Sequence, residues 1–218
     1  MSEAALAGDS ALMTLVQWLS PAFPVGGYAY SHGLEWAISA RLIKDAAGLQ
    51  GWLADVIAHG SGRSDAVMLA LALAPGADHA ALAAYASALT PAKERLTETL
   101  EQGRAFTLAT NALLGADHPP APLPVAVGRA AACLGLPVER VLALYLHSFA
   151  STLTQGAVRF IPLGQTEGQQ VLAALHPVIS RVAAWAANAS LDDLGSAGFG
   201  SDMAAMAHEG MEVRIFRS

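Results

Sequence analysis

The sequence predicts an all-α single domain, and three observations carry that expectation. Nearly every long segment repeats apolar residues at i, i+3, i+4 and i+7, the spacing that lines one face of an α-helix. No run of strand length alternates apolar with polar residues. Ala and Leu dominate over the β-branched residues that suit a pleated sheet. About eight or nine helices are expected from this periodicity. They form a single-domain helical bundle over 1–218, with a mobile N-terminus at 1–8 and a flexible, partner-dependent C-terminal tail at 190–218.

Each element has a local reason. Leu12, Leu15, Val16 and Leu19 make the first stripe, after Asp9 or Ser10 as N-cap. Leu49, Trp52, Leu53, Val56 and Ile57 repeat the pattern behind Asp45. Ser64-Asp65 opens the apolar run 66–74, which Pro75-Gly76 stops. Leu82, Tyr85, Ala86 and Leu89 form a further stripe. Thr90-Pro91 then reads as cap and first helical residue of a helix carrying Leu96, Leu100, Gly103 and Phe106 on one side. A short helix ends at Gly135, and Val138, Val141, Leu142, Tyr145, Leu146, Phe149 and Leu153 give the cleanest stripe in the chain. Thr166-Glu167-Gly168-Gln169 reads as a capping box opening a helix to Ala187, kinked at Pro177. Beyond Ser190, Gly195, Gly198, Gly200 and Gly210 leave little to nucleate a helix.

Composition narrows the function. Apolar residues are 54% and charged ones 14%, too apolar for disorder and too poor in charge to clothe a globule fully. Apolar surface therefore remains for partners. The apolar window 141–158 is interrupted by His147, Ser148, Ser151, Thr152, Thr154 and Gln155, which argues against a membrane span. A net charge of −6, with no Arg or Lys in residues 1–40, argues against nucleic acid and a basic recognition helix. The single Cys133 excludes a disulfide framework or Cys-based zinc site. With no basic-then-apolar leader at the start, the cytoplasm is the expected location.

The usual chemistry motifs are missing. Neither lysine follows a Gly, so there is no phosphate-binding P-loop, and the histidines never stand at i, i+4. Ala29-Tyr30-Ser31-His32-Gly33 is a degenerate nucleophile elbow, which would make Ser31 a hydrolase nucleophile; no strand precedes it, and a helix N-terminus is the better reading. An all-α ligand-binding regulator is the other alternative. Gly103, between Gln102 and Arg104, costs helix stability unless another backbone comes close. Gln155, Arg159 and Gln165 surround a helix break, either satisfying free helix ends or forming a polar patch. The terminal Arg214-Ile215-Phe216-Arg217-Ser218 has the character of a docking peptide.

Four blocks together resemble one family. They are Ser-Pro-Ala-Phe-Pro-Val-Gly-Gly-Tyr-Ala-Tyr-Ser-His-Gly-Leu-Glu-Trp-Ala at 20–37, Glu-Gln-Gly-Arg-Ala-Phe at 101–106, Gln-Gly-Ala-Val-Arg-Phe-Ile-Pro-Leu-Gly-Gln-Thr-Glu-Gly-Gln at 155–169, and Arg-Ile-Phe-Arg-Ser at 214–218. In that order they resemble the urease accessory protein UreF family. The resemblance implies a non-enzymatic, all-helical protein that dimerises, binds UreD (UreH in some species) and recruits the GTPase UreG to apo-urease. It implies coupling of GTP hydrolysis to nickel insertion. No cofactor is bound by the chain itself: the complex handles nickel, and the GTPase holds GTP and magnesium. It also implies a tail that orders on UreD, with Tyr28 and Arg214 in contact, and Gly26, Gly27, Ser31, Gly33 and Glu35 shaping the same neighbourhood. Gln102, Arg104, Gln155, Arg159, Gln165, Phe216 and Arg217 complete the expected partner-binding set, with no catalytic and no metal residues. Apart from the resemblance, a GTPase-activating or gating role is a further alternative, with Arg104 or Arg159 as the arginine supplied in trans, although the surroundings of neither mark it for that role.

Overall fold

A computed structural model describes residues 3–195 and 197–217, with side chains from Gly8 onward. Among these residues the chain is helical, without strands. The elements are α1 (Glu3–Trp18), α2 (Leu34–Ser39), α3 (Ala46–Ala58), α4 (Ser61–Leu73), α5 (His79–Ala88) and α6 (Lys93–Leu114). They continue as α7 (Leu123–Ala131), α8 (Val138–Ala157), α9 (Gln165–Ala174), α10 (His176–Ala186) and α11 (Phe199–His208). Short 3-10 turns occupy Gly27–Ala29, Ala132–Leu134 and Leu191–Asp193. Only Leu175, in right-handed helical conformation, separates α9 from α10, and Pro177 stands in the first turn of α10.

The core gathers around α4, which packs against α3, α7, α8 and α10. Val67, Leu69, Val125, Leu142, Leu146 and Leu153 fill it, all at most 2% exposed. Each contributes about 1.5–3 kcal/mol by leaving water. The stripe expected on α8 is the central one, although Val138 at its start lies on the surface. α6 crosses residues 121–123 at Gly103, where a Cβ would sit 1.9 Å from the Ala121 carbonyl oxygen. Close helix packing thus explains that glycine. The α7 backbone meets α4 in the same manner at Gly128, opposite Ala72.

Asp45 caps α3 as expected, its carboxylate accepting the Gly48 amide at 2.8 Å. Gly135 ends the α7 region in a left-handed conformation, φ 63°. Other boundaries differ. α1 begins at Glu3, so residues 3–8, expected as a mobile lead-in, are helical; Met1 and Ser2 lie outside the described residues. Thr90 does not cap α6: its hydroxyl donates back to the Ala86 carbonyl at the end of α5, and α6 starts after Ala92. Glu167, not Thr166, organises the start of α9, its carboxylate accepting the Gly164 amide at 2.8 Å. The glycine-rich stretch after Ser190 also holds α11, because packing on α2 and α6 outweighs weak propensity.

Candidate partner-docking site

The first block folds as a loop pinned at one end and exposed at the other. Phe23 is buried, its ring 5.4 Å from Phe106 on α6. Gly26 then takes φ 71°, and Gly27 passes Thr152 of α8 closely enough that a Cβ would lie 3.6 Å from its methyl. This lifts Tyr28 to the surface, 41% exposed, with the Arg159 guanidinium 5.7 Å from its ring centre. His32 and Gly33 both adopt the left-handed conformation, φ 55° and 74°, and so swing the chain into α2. Gly33 is unavoidable there: a Cβ would meet the Ala205 amide nitrogen at 2.5 Å, since α11 seats directly on this turn.

Glu35 follows in the first turn of α2, buried beneath the C-terminal segment. Its Oε1 accepts the Ile215 amide and its Oε2 the Phe216 amide, each at 2.9 Å. The fully buried His208 of α11 approaches Oε2 with Nε2 at 3.1 Å. Its Nδ1 lies 2.6 Å from Glu94 of α6, and the other Glu94 oxygen accepts from Arg214. Burial alone would raise the Glu35 carboxyl, but the Phe216 amide, His208 and the Ile215 amide outweigh it and hold the group below its usual range.

The rest of the tail is fastened along the same line. The Phe216 ring is buried beside Gly156, 5.1 Å from the Phe160 ring centre. A Cβ on Gly156 would stand 3.4 Å from that ring. The Arg217 amide donates to the Ala29 carbonyl at 2.7 Å, and its guanidinium to Glu101 at 3.2 Å. Tyr30 donates its hydroxyl to the same Glu101 oxygen; burial and that carboxylate push the phenol up to about 12.

Beneath the loop lies a second polar layer. Arg95 and Glu98 of α6 form a buried ion pair, and Gln102 donates to Glu98 at 2.9 Å. His32 Nε2 lies 2.7 Å from both the Arg95 guanidinium and Glu98. Burial first, then Arg95, pulls this imidazole below the usual histidine value despite Glu98. Asp65 accepts the Tyr145 hydroxyl at 2.8 Å, and burial lifts its carboxyl to about 6 against the pull of Arg95 and Tyr145. A cavity of about 80 Å³ separates this layer from Tyr28 and Thr152.

Known proteins can now be set beside this geometry. The UreF family model matches residues 43–176. A urease accessory protein UreF of Cereibacter sphaeroides is 62% identical over 96% of this chain and 100% of its own. That of Paracoccus denitrificans is 51% identical over 96% and 97%, and that of a Jannaschia species 47% over 95% and 94%. The chain belongs to the UreF family.

The tail lies on Glu35 and the loop before it, bringing together blocks from opposite ends of the sequence. The Tyr28–Arg214 contact was expected for a tail ordered on UreD; in the isolated chain Tyr28 lies beside Arg159, and Arg214 pairs with Glu94. The tail, expected to order on a partner, is docked on its own chain; Ser218 lies outside the described residues. Ser31 is buried, its hydroxyl accepting the Glu35 amide at 3.3 Å, and no strand among the described residues makes a nucleophile elbow. Gln102 is turned inward, whereas Arg104 and Gln165 are exposed and Gln155 is half-buried. Among the described residues, no group of three His, Cys, Asp or Glu could hold a metal ion, and no helix is long and apolar enough to cross a membrane.

Glu94, Glu98, Glu101 and His208 were missed by sequence reasoning, although they hold the arrangement together. The available signal was on α6: Arg95, Glu98 and Gln102, at helical spacing, trace its buried face, whereas the expected Leu100 points to solvent.

Proposed function

We propose that this chain is a urease maturation scaffold. With UreD (UreH) it recruits the GTPase UreG to apo-urease, so that GTP hydrolysis drives nickel insertion. Nickel is the cargo of that assembly, GTP and magnesium belong to the GTPase, and the chain acts as a homodimer within the complex. Family membership supports the maturation role. The observation that supports the scaffold reading is a tail held by its backbone and by the buried Phe216 ring while Val213 and Ile215 face outward.

Glu35 and Ala29 fix the main chain of residues 215–217, yet Val213 is 80% and Ile215 72% exposed. Beside them α11 presents Phe199, Met203 and Met206 at i, i+4 and i+7, all exposed. An apolar stripe of this kind is an interface before it is anything else, and Met side chains adapt to a partner's contour. Arg159, Arg214 and Arg217 are exposed as well, and guanidinium groups suit carboxylates. The chain contributes differential binding rather than bond chemistry: by preferring one nucleotide state of the GTPase, it biases that state when partners are assembled.

Deleting residues 214–218 tests this. The isolated chain should keep its helical circular dichroism, while the GTPase is no longer recovered with UreD in pull-downs. An undiminished three-component complex would overturn the reading.

A further inference from the structure

We infer that His147 and His176 form a two-imidazole site for a divalent transition-metal ion, held between α8 and the start of α10. The ring centres lie 5.5 Å apart at an interplanar angle of 44°. Imidazole nitrogen binds zinc at about 2.0–2.1 Å, which puts each ring centre about 3.2 Å from the ion. Two rings at a tetrahedral angle then have centres about 5.2 Å apart, against about 4.5 Å at a right angle. The observed separation is close to the tetrahedral one, and small side-chain rotations close the difference.

Both rings have a lone pair to offer. Three other histidines have their nitrogens engaged: His32 faces Arg95 and Glu98, His79 lies 2.9 Å from the Ala72 carbonyl oxygen, and His208 stands between Glu35 and Glu94. Among the described residues His147 and His176 have no hydrogen-bond partner and no ion pair, and each ring faces the other. A neutral imidazole keeps one nitrogen unprotonated, and that nitrogen is what a metal takes. The sequence places no two histidines at i, i+4, so a pair built from two helices leaves no motif to read.

The backbone beneath the pair is fixed. Leu146 and Leu175, the residues immediately before the two histidines, are at most 1% exposed, and α8 packs against α10. His147 is half-buried and His176 exposed, so an ion enters from solvent without opening the core. Binding therefore orders little that is not already ordered. Only two side chains are offered, whereas a closed structural zinc site takes four. Water fills the remaining positions, and the ion stays exchangeable. Imidazole suits zinc, copper and nickel, while magnesium and calcium prefer oxygen, so the donor set selects the first group. The inference rests on the ring pair alone and stands independently of the maturation role.

The test titrates the untagged full-length chain at neutral pH with zinc chloride in a calorimeter, with magnesium chloride as control. One equivalent of zinc should bind, and magnesium should give no heat beyond dilution. At a hundred times its Kd, zinc should raise Tm by about 5 °C or more. In long-range proton–nitrogen spectra the His147 and His176 rings should shift together up to one equivalent, while the ring of the exposed His118 stays in place. His147→Ala and His176→Ala should each weaken zinc binding by about tenfold or more, and His118→Ala should leave it unchanged. The wild-type spectra decide the matter if a variant does not fold. No saturable zinc binding, zinc bound with these two rings unshifted, or undiminished affinity in either variant would overturn the inference.

Discussion

Glu35 and Phe216 are 181 positions apart in the chain, yet a 2.9 Å hydrogen bond joins the carboxylate of one to the amide of the other. The same carboxylate also holds Ile215 and His208, so three donors converge on a single buried acceptor. Replacing it by Ala would leave His208 and two amides without that acceptor. Glu35→Ala should therefore destabilise the chain by about 3 kcal/mol in urea unfolding. The tail amides should lose hydrogen-exchange protection first.

Gly33 and Gly26 both have positive φ but differ in surroundings. Alanine at Gly33 would strike the α11 backbone, whereas Gly26 faces open space. Gly26→Ala should cost about 1 kcal/mol, a backbone penalty alone. Gly33→Ala should cost more than about 3 kcal/mol and loosen α11, read from exchange at Ala204 and Ala205. Equal effects would mean that α11 does not depend on the close approach.

Acid should weaken the fold in two steps. His32 has its folded value depressed, so its contribution is whole above the ordinary histidine range and erodes as pH falls below about 6.5. Glu35 is also depressed, so its contribution is kept above its unfolded value and lost only as pH drops through the folded one, lower still. Asp65 runs the other way. Raised to about 6, it favours the fold in its protonated form and opposes it above that pH. Asp65→Asn, which keeps an acceptor for Tyr145, should raise Tm by about 3–5 °C at pH 7.5. The gain should vanish near pH 4, as differential scanning calorimetry will show.

Tyr28 stands on the surface with one cationic neighbour, a contact worth about 0.5–1 kcal/mol. Tyr28→Ala should lower Tm by only a few degrees, about what that contact supports. If the proposed function holds, urease nickel content on co-expression should fall severalfold. Loss of stability and nickel content in proportion would make the ring merely structural.

Much of this fold is legible in the sequence, because apolar spacing on α3 and α8 records burial directly. The Asp45 cap and the Gly135 stop are equally local. α6 shows why the rest was hidden. Its buried face carries Arg95, Glu98 and Gln102, which enter the core only because His32 and one another satisfy them. Periodicity cannot see pairing across distant segments. The same reason hid the roles of Glu94, Glu101 and His208 and the neighbours that Tyr28 and Arg214 have in the isolated chain. α11 escaped notice because its packing surface on Gly33 lies far off in sequence.

The clamp on Glu35 also has a bearing on biosynthesis. At about 5–20 residues per second, the ribosome needs roughly ten to forty seconds to travel from codon 35 to codon 216. Throughout that interval the carboxylate lacks its amides, and neighbouring helices mature around an unfinished seat. A ribosome that terminates early thus releases a chain in which Glu35 has no tail amides to hold.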